Sequence, residues 1–391
     1  MLTAGKQAVG AKGKGALLPV YAQFPVRPVS GAGSWLVDES GDRWLDAYGG
    51  HAVASVGHSH PRVVRAIAEQ AEKLLFYSSA VAHPAREALA ERLAALSPDP
   101  LAHVFFVNSG AEANENALHL ARRATGRTAV VSVTGGWHGR TAATLAVTDG
   151  ARYEAAARRA GMPISRKIPF GDTAAVGAAV DETVAAVIVE PVQGIHGARD
   201  CPPEFLSALR SACDDAGAAL LFDEIQCGSG RAGAFTAAEA FGVVPDCVTM
   251  AKGLAGGLPI GAVVAAPRLV EGLEIGDLGS TFGGGPVPCA AALAVLDVIE
   301  GEDLLSNVRT VGAQLADGAL AAGIPAVQGK GLLLGLRLGR PAAPVQRALV
   351  EHRVLTGTAN DPEVLRLMPP LNFTREEADL LLDALGKVWD R

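Results

Sequence analysis

Between residues 102 and 267, short apolar runs alternate with longer stretches whose apolar residues recur at helical spacing. The runs His103–Val107, Ala129–Val133, Ala185–Glu190, Ala218–Asp223, Cys247–Ala251 and Ala262–Ala266 predict strands. Glu112–Ala124 and Pro203–Ala216 predict helices between them. Strands alternating with helices imply parallel βαβ units covered on both faces. The flanks read differently. Residues 31–48 predict a hairpin, with Gly41-Asp42 between runs that hold Trp35 and Trp44. Beyond residue 288 come helices, a short strand at Leu332–Leu338 and a last helix from Thr374 to Trp389, where Thr374 and Glu377 have capping-box spacing. The expected architecture is α/β: a large domain over residues 61–287, and a smaller α+β domain built from residues 1–60 and 288–391.

Composition narrows the class. The 391 residues are 49% hydrophobic and 19% charged, with 46 glycines, which is an ordinary globular profile. A net charge of -7 argues against a nucleic-acid partner. Apolar runs such as Ala218–Phe222 are too short to span a bilayer. Lys6, Lys12 and Lys14 among Gly and Ala read as an arm rather than a secretory signal. Five cysteines, odd in number and without metal-ligand spacing, read as reduced and buried, which suits a cytoplasmic protein. No metal is expected.

Three short segments carry candidate chemistry. Asn108-Ser109-Gly110-Ala111-Glu112 joins a strand to a helix, where free N–H groups and the helix dipole suit an anion. A plain Ser N-cap explains the same residues. Asp223 ends an apolar strand, where open α/β sheets bind ligands. It would keep a heteroaromatic nitrogen protonated, or equally hold a metal or cap a helix. Lys252 ends another apolar run before a glycine-rich turn, with no acid beside it in sequence. Burial there would favour the neutral, nucleophilic amine; a lysine snorkelling from a strand end is the bland alternative. Two motifs mislead. Gly228-Ser-Gly230-Arg-Ala-Gly233 matches a dinucleotide fingerprint but stands too far past its strand. Gly57-His58-Ser59-His60-Pro61 reads as a turn rather than a metal site, and Gly10–Gly15 lacks P-loop spacing.

Together these segments resemble the class III (ω-type) aminotransferases of fold type I, which use pyridoxal 5'-phosphate (PLP). The nearest likeness is to the acetylornithine branch with its acetyl-lysine and carrier-protein-linked lysine relatives. The likeness runs from GAGSWLVDESGDRWLDAYGGHAVASVGHSHP (31–61) to LRLMPPLNFT (365–374), and is most specific over residues 223–262. It implies a large domain with a mainly parallel seven-stranded sheet. It also implies that Lys252 carries the cofactor as a Schiff base and shuttles a proton, and that Asp223 pairs with the ring nitrogen. Gln226 would meet the ring's phenolic oxygen, and Ser109, Gly110 and Ala111 the phosphate. Trp137 and Ile225 would sandwich the ring. Arg140 would clamp the carboxylate of the amino donor and Arg366 the α-carboxylate of glutamate or 2-oxoglutarate. Thr281 would reach the phosphate of a partner's site, with Ser280 near substrate, so that a homodimer shares its sites.

The resemblance therefore implies transfer of a terminal amino group from an acylated diamino acid to 2-oxoglutarate, in arginine or lysine biosynthesis. Ornithine, succinylornithine and 4-aminobutyrate are alternative donors. A glutamate-1-semialdehyde aminomutase-like isomerase and a non-catalytic regulator are alternative classes. One departure bears on the donor: relatives carry an acid after EPVQG that can mask the glutamate-binding arginine, and here Ile195 and His196 follow Glu190–Gly194. Gating through His196, or an arginine that is always available, is the expectation.

Overall fold

The computed structural model describes residue 18 and residues 20–389; Lys6, Lys12, Lys14 and Gly10–Gly15 lie outside them. Three N-terminal strands, β1 (Pro28–Ala32), β2 (Trp35–Asp38) and β3 (Arg43–Asp46), form an antiparallel meander. The predicted hairpin is β2–β3, with Trp35 opposite Leu45 and Leu36 opposite Trp44. The chain then builds β4 (His103–Val107), β5 (Ala129–Val133), β6 (Arg166–Ile168) and β7 (Val184–Val189). The short β8 (Val192–Gln193) and β9 (Arg199–Asp200) pair with each other. After them come β10 (Ala219–Asp223), β11 (Cys247–Met250) and β12 (Gly261–Ala265).

Seven of these strands form one sheet in the order β4-β12-β11-β10-β7-β5-β6. Every residue of β7, β10, β11 and β12 is buried, as continuous apolar runs in a sheet covered on both faces must be. The helices Gly110–Thr125 and Pro203–Ala216 supply part of that cover, the first on β11 and β12 and the second on β10 and β7. One expectation needs correcting: β12 runs antiparallel to both neighbours, β11 and β4. Residues 251–260 are too few for a crossover helix, so the chain can only turn back on itself. The three-residue edge strand β6, with Arg166 and Lys167 in it, gave no apolar run to read.

The C-terminal part adds β13 (Ala326–Lys330), β14 (Leu333–Arg337), β15 (Val354–Leu355), β16 (Gly357–Thr358) and β17 (Val364–Leu367). Four of them form a sheet in the order β13-β14-β17-β16, while β15 pairs in parallel with β3 and so joins the two ends of the chain. The last helix, Arg375–Trp389, begins with the predicted capping box. Thr374 Oγ1 accepts from the Glu377 amide at 3.1 Å, and Glu377 Oε2 accepts from the Thr374 amide at 2.9 Å. His60 caps the helix Pro61–Lys73 and His58 Nε2 meets Asp46 Oδ2 at 2.8 Å, so the Gly57–Pro61 histidines serve the turn. No helix among the described residues is long and apolar enough to cross a membrane.

Candidate active site

A cavity of about 300 Å³ opens where β4, β7, β10 and β11 end. Ser109, Gly110 and Ala111 line it from the β4–helix junction, and Asp223, Ile225 and Gln226 from the end of β10. Trp137 enters after β5 and Lys252 after β11. Eight of the twelve predicted site residues thus share one space.

The anion cradle forms because β4 runs straight into the helix Gly110–Thr125. Ser109 is the N-cap, its hydroxyl accepting from the Glu112 amide at 3.2 Å. Its cap role and an anion role are compatible, since the remaining first-turn N–H groups stay available. Glycine at 110 has a nearer cause than approach to an anion. A Cβ there would lie 2.7 Å from Ile225 Cδ1, so Ile225 occupies the space.

Asp223 is buried at the end of β10. Its Oδ2 accepts from Asn114 Nδ2 at 2.7 Å and meets His138 Nδ1 at 2.8 Å, while Oδ1 accepts from the Ile225 amide at 3.1 Å. Thr249 Oγ1 donates to Asn114 Oδ1 at 2.7 Å, which turns the amide nitrogen toward the carboxylate. Asn114, His138 and Thr249 were not foreseen; their polar side chains look ordinary in sequence, and only the fold brings them to Asp223. Glu190, at the end of β7, was legible by the same logic as Asp223. Burial and the Asp223 charge push its carboxyl up to about 8, against the pull of N–H groups from Trp137 at 2.7 Å and Gly194 at 3.1 Å.

Lys252 adopts a left-handed φ of 39°, rare for a residue with a side chain. The Ser55 hydroxyl pins the turn that follows by donating to Gly253 O at 2.6 Å. Burial lowers the amine's pKa, opposed by Asp223 and Glu190. The acids missing from its sequence neighbourhood are therefore supplied by other strands.

Gln226 Oε1 accepts from Arg366 Nη1 at 3.3 Å, leaving Gln226 Nε2 buried without a partner. Arg366 lies buried on β17, its Nε donating to Thr358 O at 2.8 Å and its Nη1 to Gly194 O at 3.0 Å. The expected gating by His196 is not found. His196 has Arg199, Asp361, Asp149 and Arg337 as its charged neighbours, while Ile195 lines the cavity. The exposed Arg140 places its guanidinium 5.2 Å from the Trp137 ring centroid, and that ring meets Tyr153 edge-on at 5.0 Å. Arg140 and Arg366 lie outside the cavity lining; burial lowers the pKa of His51, and the charges of Lys252, Arg366 and Arg140 lower it further. Ser280 accepts from Asn108 Nδ2 at 3.1 Å beside the cradle, whereas Thr281 is exposed outside its own chain's cavity.

An anion cradle, a buried carboxylate and a buried amine around one cavity are what a PLP enzyme requires, and the unpartnered Gln226 Nε2 offers a donor to an oxygen on the ring. The residues present fit PLP. The family model described as aminotransferase class-III matches residues 19–389, and the chain belongs to that family of PLP-dependent transaminases. It is 42% identical over 385 residues to acetylornithine aminotransferase 1 of Bordetella bronchiseptica, covering 95% of this chain and 96% of that protein. It is 40% identical to acetylornithine aminotransferase of Methanosarcina mazei, covering 99% and 98%. Among solved structures, ornithine aminotransferase of Toxoplasma gondii superposes with a TM-score of 0.89 at 29% identity, over 96% of this chain and 92% of that one. A PLP-bound amine transaminase from an uncultivated Pseudomonas species superposes at 0.86 with 30% identity, over 100% and 99%.

Proposed function

We propose that this transaminase moves the terminal amino group of an acylated diamino acid, N-acetylornithine or an acylated lysine, to 2-oxoglutarate. The products are a semialdehyde and glutamate, which places the enzyme in arginine or lysine biosynthesis. The observation that carries the reading is a pair of guanidinium groups at the cavity: Arg366 bonds to Gln226 and Arg140 lies against Trp137, both of which line it. Two separate guanidinium clamps suit a donor whose carboxylate lies away from its reacting amine and an acceptor whose α-carboxylate adjoins its reacting carbonyl. The acetylornithine aminotransferases similar over nearly the whole chain support the donor class.

When bound, PLP supplies an aldehyde that condenses with an amine and a ring that withdraws electrons from the substrate carbon. The chain's residues do the rest. Ser109, Gly110 and Ala111 would hold the phosphate; Trp137 and Ile225 would pack on the ring, and the Gln226 amide would donate to the phenolic oxygen. Asp223, oriented by its bonds from Asn114 and Ile225, would pair with the ring nitrogen and hold a proton there. Lys252 Nζ, as a free amine, would accept the proton from the substrate carbon as general base and then donate that same proton as general acid, so that its own protonation state is restored in each half-reaction. Arg140 orients the donor, Arg366 the 2-oxoglutarate, and the two half-reactions alternate in ping-pong order.

We take the active form to be a cytoplasmic homodimer, with Thr281 reaching the partner's phosphate site and Ser280 near substrate. Exposed Thr281 and the exposed aromatic residue after it support this, and five free, buried thiols suit a reducing compartment. The test mixes holoenzyme with each candidate amine, follows cofactor absorbance, then adds 2-oxoglutarate and measures glutamate. N-acetylornithine or an acyl-lysine should convert fastest, and Lys252→Ala should lose both turnover and the borohydride-reducible adduct. Preference for ornithine or 4-aminobutyrate, or turnover that needs no keto acid, overturns the reading.

A further inference from the structure

Glu190 reaches two separate loops of the site with one carboxyl group. It follows β7, which lies between β5 and β10 in the sheet, and it is buried in the cavity lining. Its Oε1 accepts from the Trp137 amide at 2.7 Å, in the loop after β5. Its Oε2 accepts from the Gly194 amide at 3.1 Å, in the turn between β8 and β9. Burying a carboxyl is costly unless both oxygens find donors, and each of these loops supplies one.

Each of the two amides belongs to a residue that holds an arginine. Gly194 is bonded at both ends. Its amide goes to Glu190, and its carbonyl oxygen accepts from Arg366 Nη1 at 3.0 Å and from the Gly197 and Ala198 amides at 3.2 and 3.3 Å. Gln226, the other oxygen acceptor of Arg366 Nη1, packs against the same residue: a Cβ at position 194 would collide with its side-chain amide. A shift of the Gly194 peptide therefore disturbs both oxygens that aim this guanidinium nitrogen. On the other side, the Trp137 amide fixes the backbone from which the ring projects, and the Arg140 guanidinium lies 5.2 Å from the centroid of that ring. Glu190 thus stands between the two cations, and among the described residues it bonds to neither of them.

The same loops are also tied farther out. Gln193 Nε2 donates to Thr134 O at 2.8 Å, while Arg199 Nη2 donates to Gln193 Oε1 at 2.8 Å and to Thr134 O at 3.3 Å. This outer tie keeps the β5 loop on the β8–β9 turn whether or not residue 190 is a glutamate. What Glu190 adds is the setting of the inner edge, where the two backbones face the cavity.

We propose that Glu190 is a positioning residue for both substrates: by bridging the Trp137 and Gly194 amides it sets the separation of the Arg140 and Arg366 clamps. This rests on the reading of those arginines as the donor and keto-acid sites. The two bonds are unequal. The one to Trp137 is shorter, so a side chain with a single acceptor oxygen keeps that bond and gives up the one to Gly194. Glu190→Gln is such a side chain, and its NH2 group then opposes the Gly194 amide. The Arg366 side is released while the Arg140 side is held. Glu190→Leu, which has no acceptor, releases both.

The test titrates holoenzyme with glutarate, a dicarboxylate with neither amine nor ketone, by calorimetry. In parallel it measures KM and kcat for 2-oxoglutarate and for the parent's fastest amino donor. Glu190→Gln should bind glutarate about five- to tenfold more weakly and raise KM for 2-oxoglutarate in proportion, with KM for the donor rising less than about twofold. Glu190→Leu should raise both KM values. The glutamine variant decides alone if the leucine variant does not fold. Equal rises of the two KM values in Glu190→Gln, or a fall in kcat with both unchanged, mark a general loosening and overturn the proposal. Unchanged glutarate binding in Glu190→Gln, where Arg366→Leu abolishes it, overturns the proposal and leaves the reading of Arg366 standing. Glutarate binding that is absent in the parent, or that survives Arg366→Leu, overturns the reading of Arg366 itself and the proposal with it.

Discussion

Glu190 is a carboxyl group under opposed influences: burial and Asp223 disfavour its charge, while two backbone N–H groups favour it. Its folded-state pKa of about 8 is above that of an unfolded glutamate, so it binds a proton more tightly in the native state. Its contribution to stability is full below about pH 4.5 and is lost as pH rises through about 8. The melting temperature of the protein should therefore fall between pH 6 and 9, and Glu190→Gln should flatten that slope while lowering the melting temperature overall. The overall loss arises because an amide cannot accept both N–H bonds. Calorimetric melts at three pH values check both statements; an unaltered slope removes Glu190 as the titrating group. At this scale the sequence was readable where a residue breaks a run. Lys252 and Asp223 stand out because each ends an apolar strand. Asn114 and His138 were opaque because their role depends on what crosses them in space, and no spacing along the chain encodes that.

The junction of β4 with the helix Gly110–Thr125 shows how an element positions chemistry. The strand sets where the helix N-terminus points, and Ile225 from the neighbouring β10 loop presses against it. Gly110→Ala should overpack this contact by about 1–3 kcal/mol and weaken PLP binding, measured as a dissociation constant after dialysis. Adding Ile225→Val, which lacks Cδ1, should recover part of the loss; no recovery would mean that the alanine acts on the cradle itself. Elements with strong apolar runs were legible within a residue or two, including β5 and the helix Pro203–Ala216. The reversal of β12 was not drawn from the pattern, although the short connection from β11 already forbids a crossover. β6 was illegible because an edge strand with two basic residues has no hydrophobic signature.

Over the whole molecule, the feature that a single chain leaves unexplained is an apolar surface. Leu75 is 68% exposed and Phe282 64%, with Tyr77 and Val81 exposed in the same segments. The rings of Phe76 and Phe282 lie 5.0 Å apart, which joins the two segments into one patch beside Thr281. A patch of this kind marks an association surface. Phe282→Asp should shift the protein toward monomer in sedimentation and cut glutamate formation in parallel; a dimer with full activity would remove this face from the interface. The other molecule-wide feature is the pairing of β15 with β3. The strand that ends in Asp46, and so sets the bend holding Tyr48 and His51, pairs with β2 on one edge but finds its second neighbour only in residues near the opposite terminus. During synthesis the ribosome must release almost the entire polypeptide before that edge is covered. The pocket's arginine side is thus assembled last, after the sheet that holds the lysine is complete, and a nascent chain has no means of sorting its substrates before it is finished.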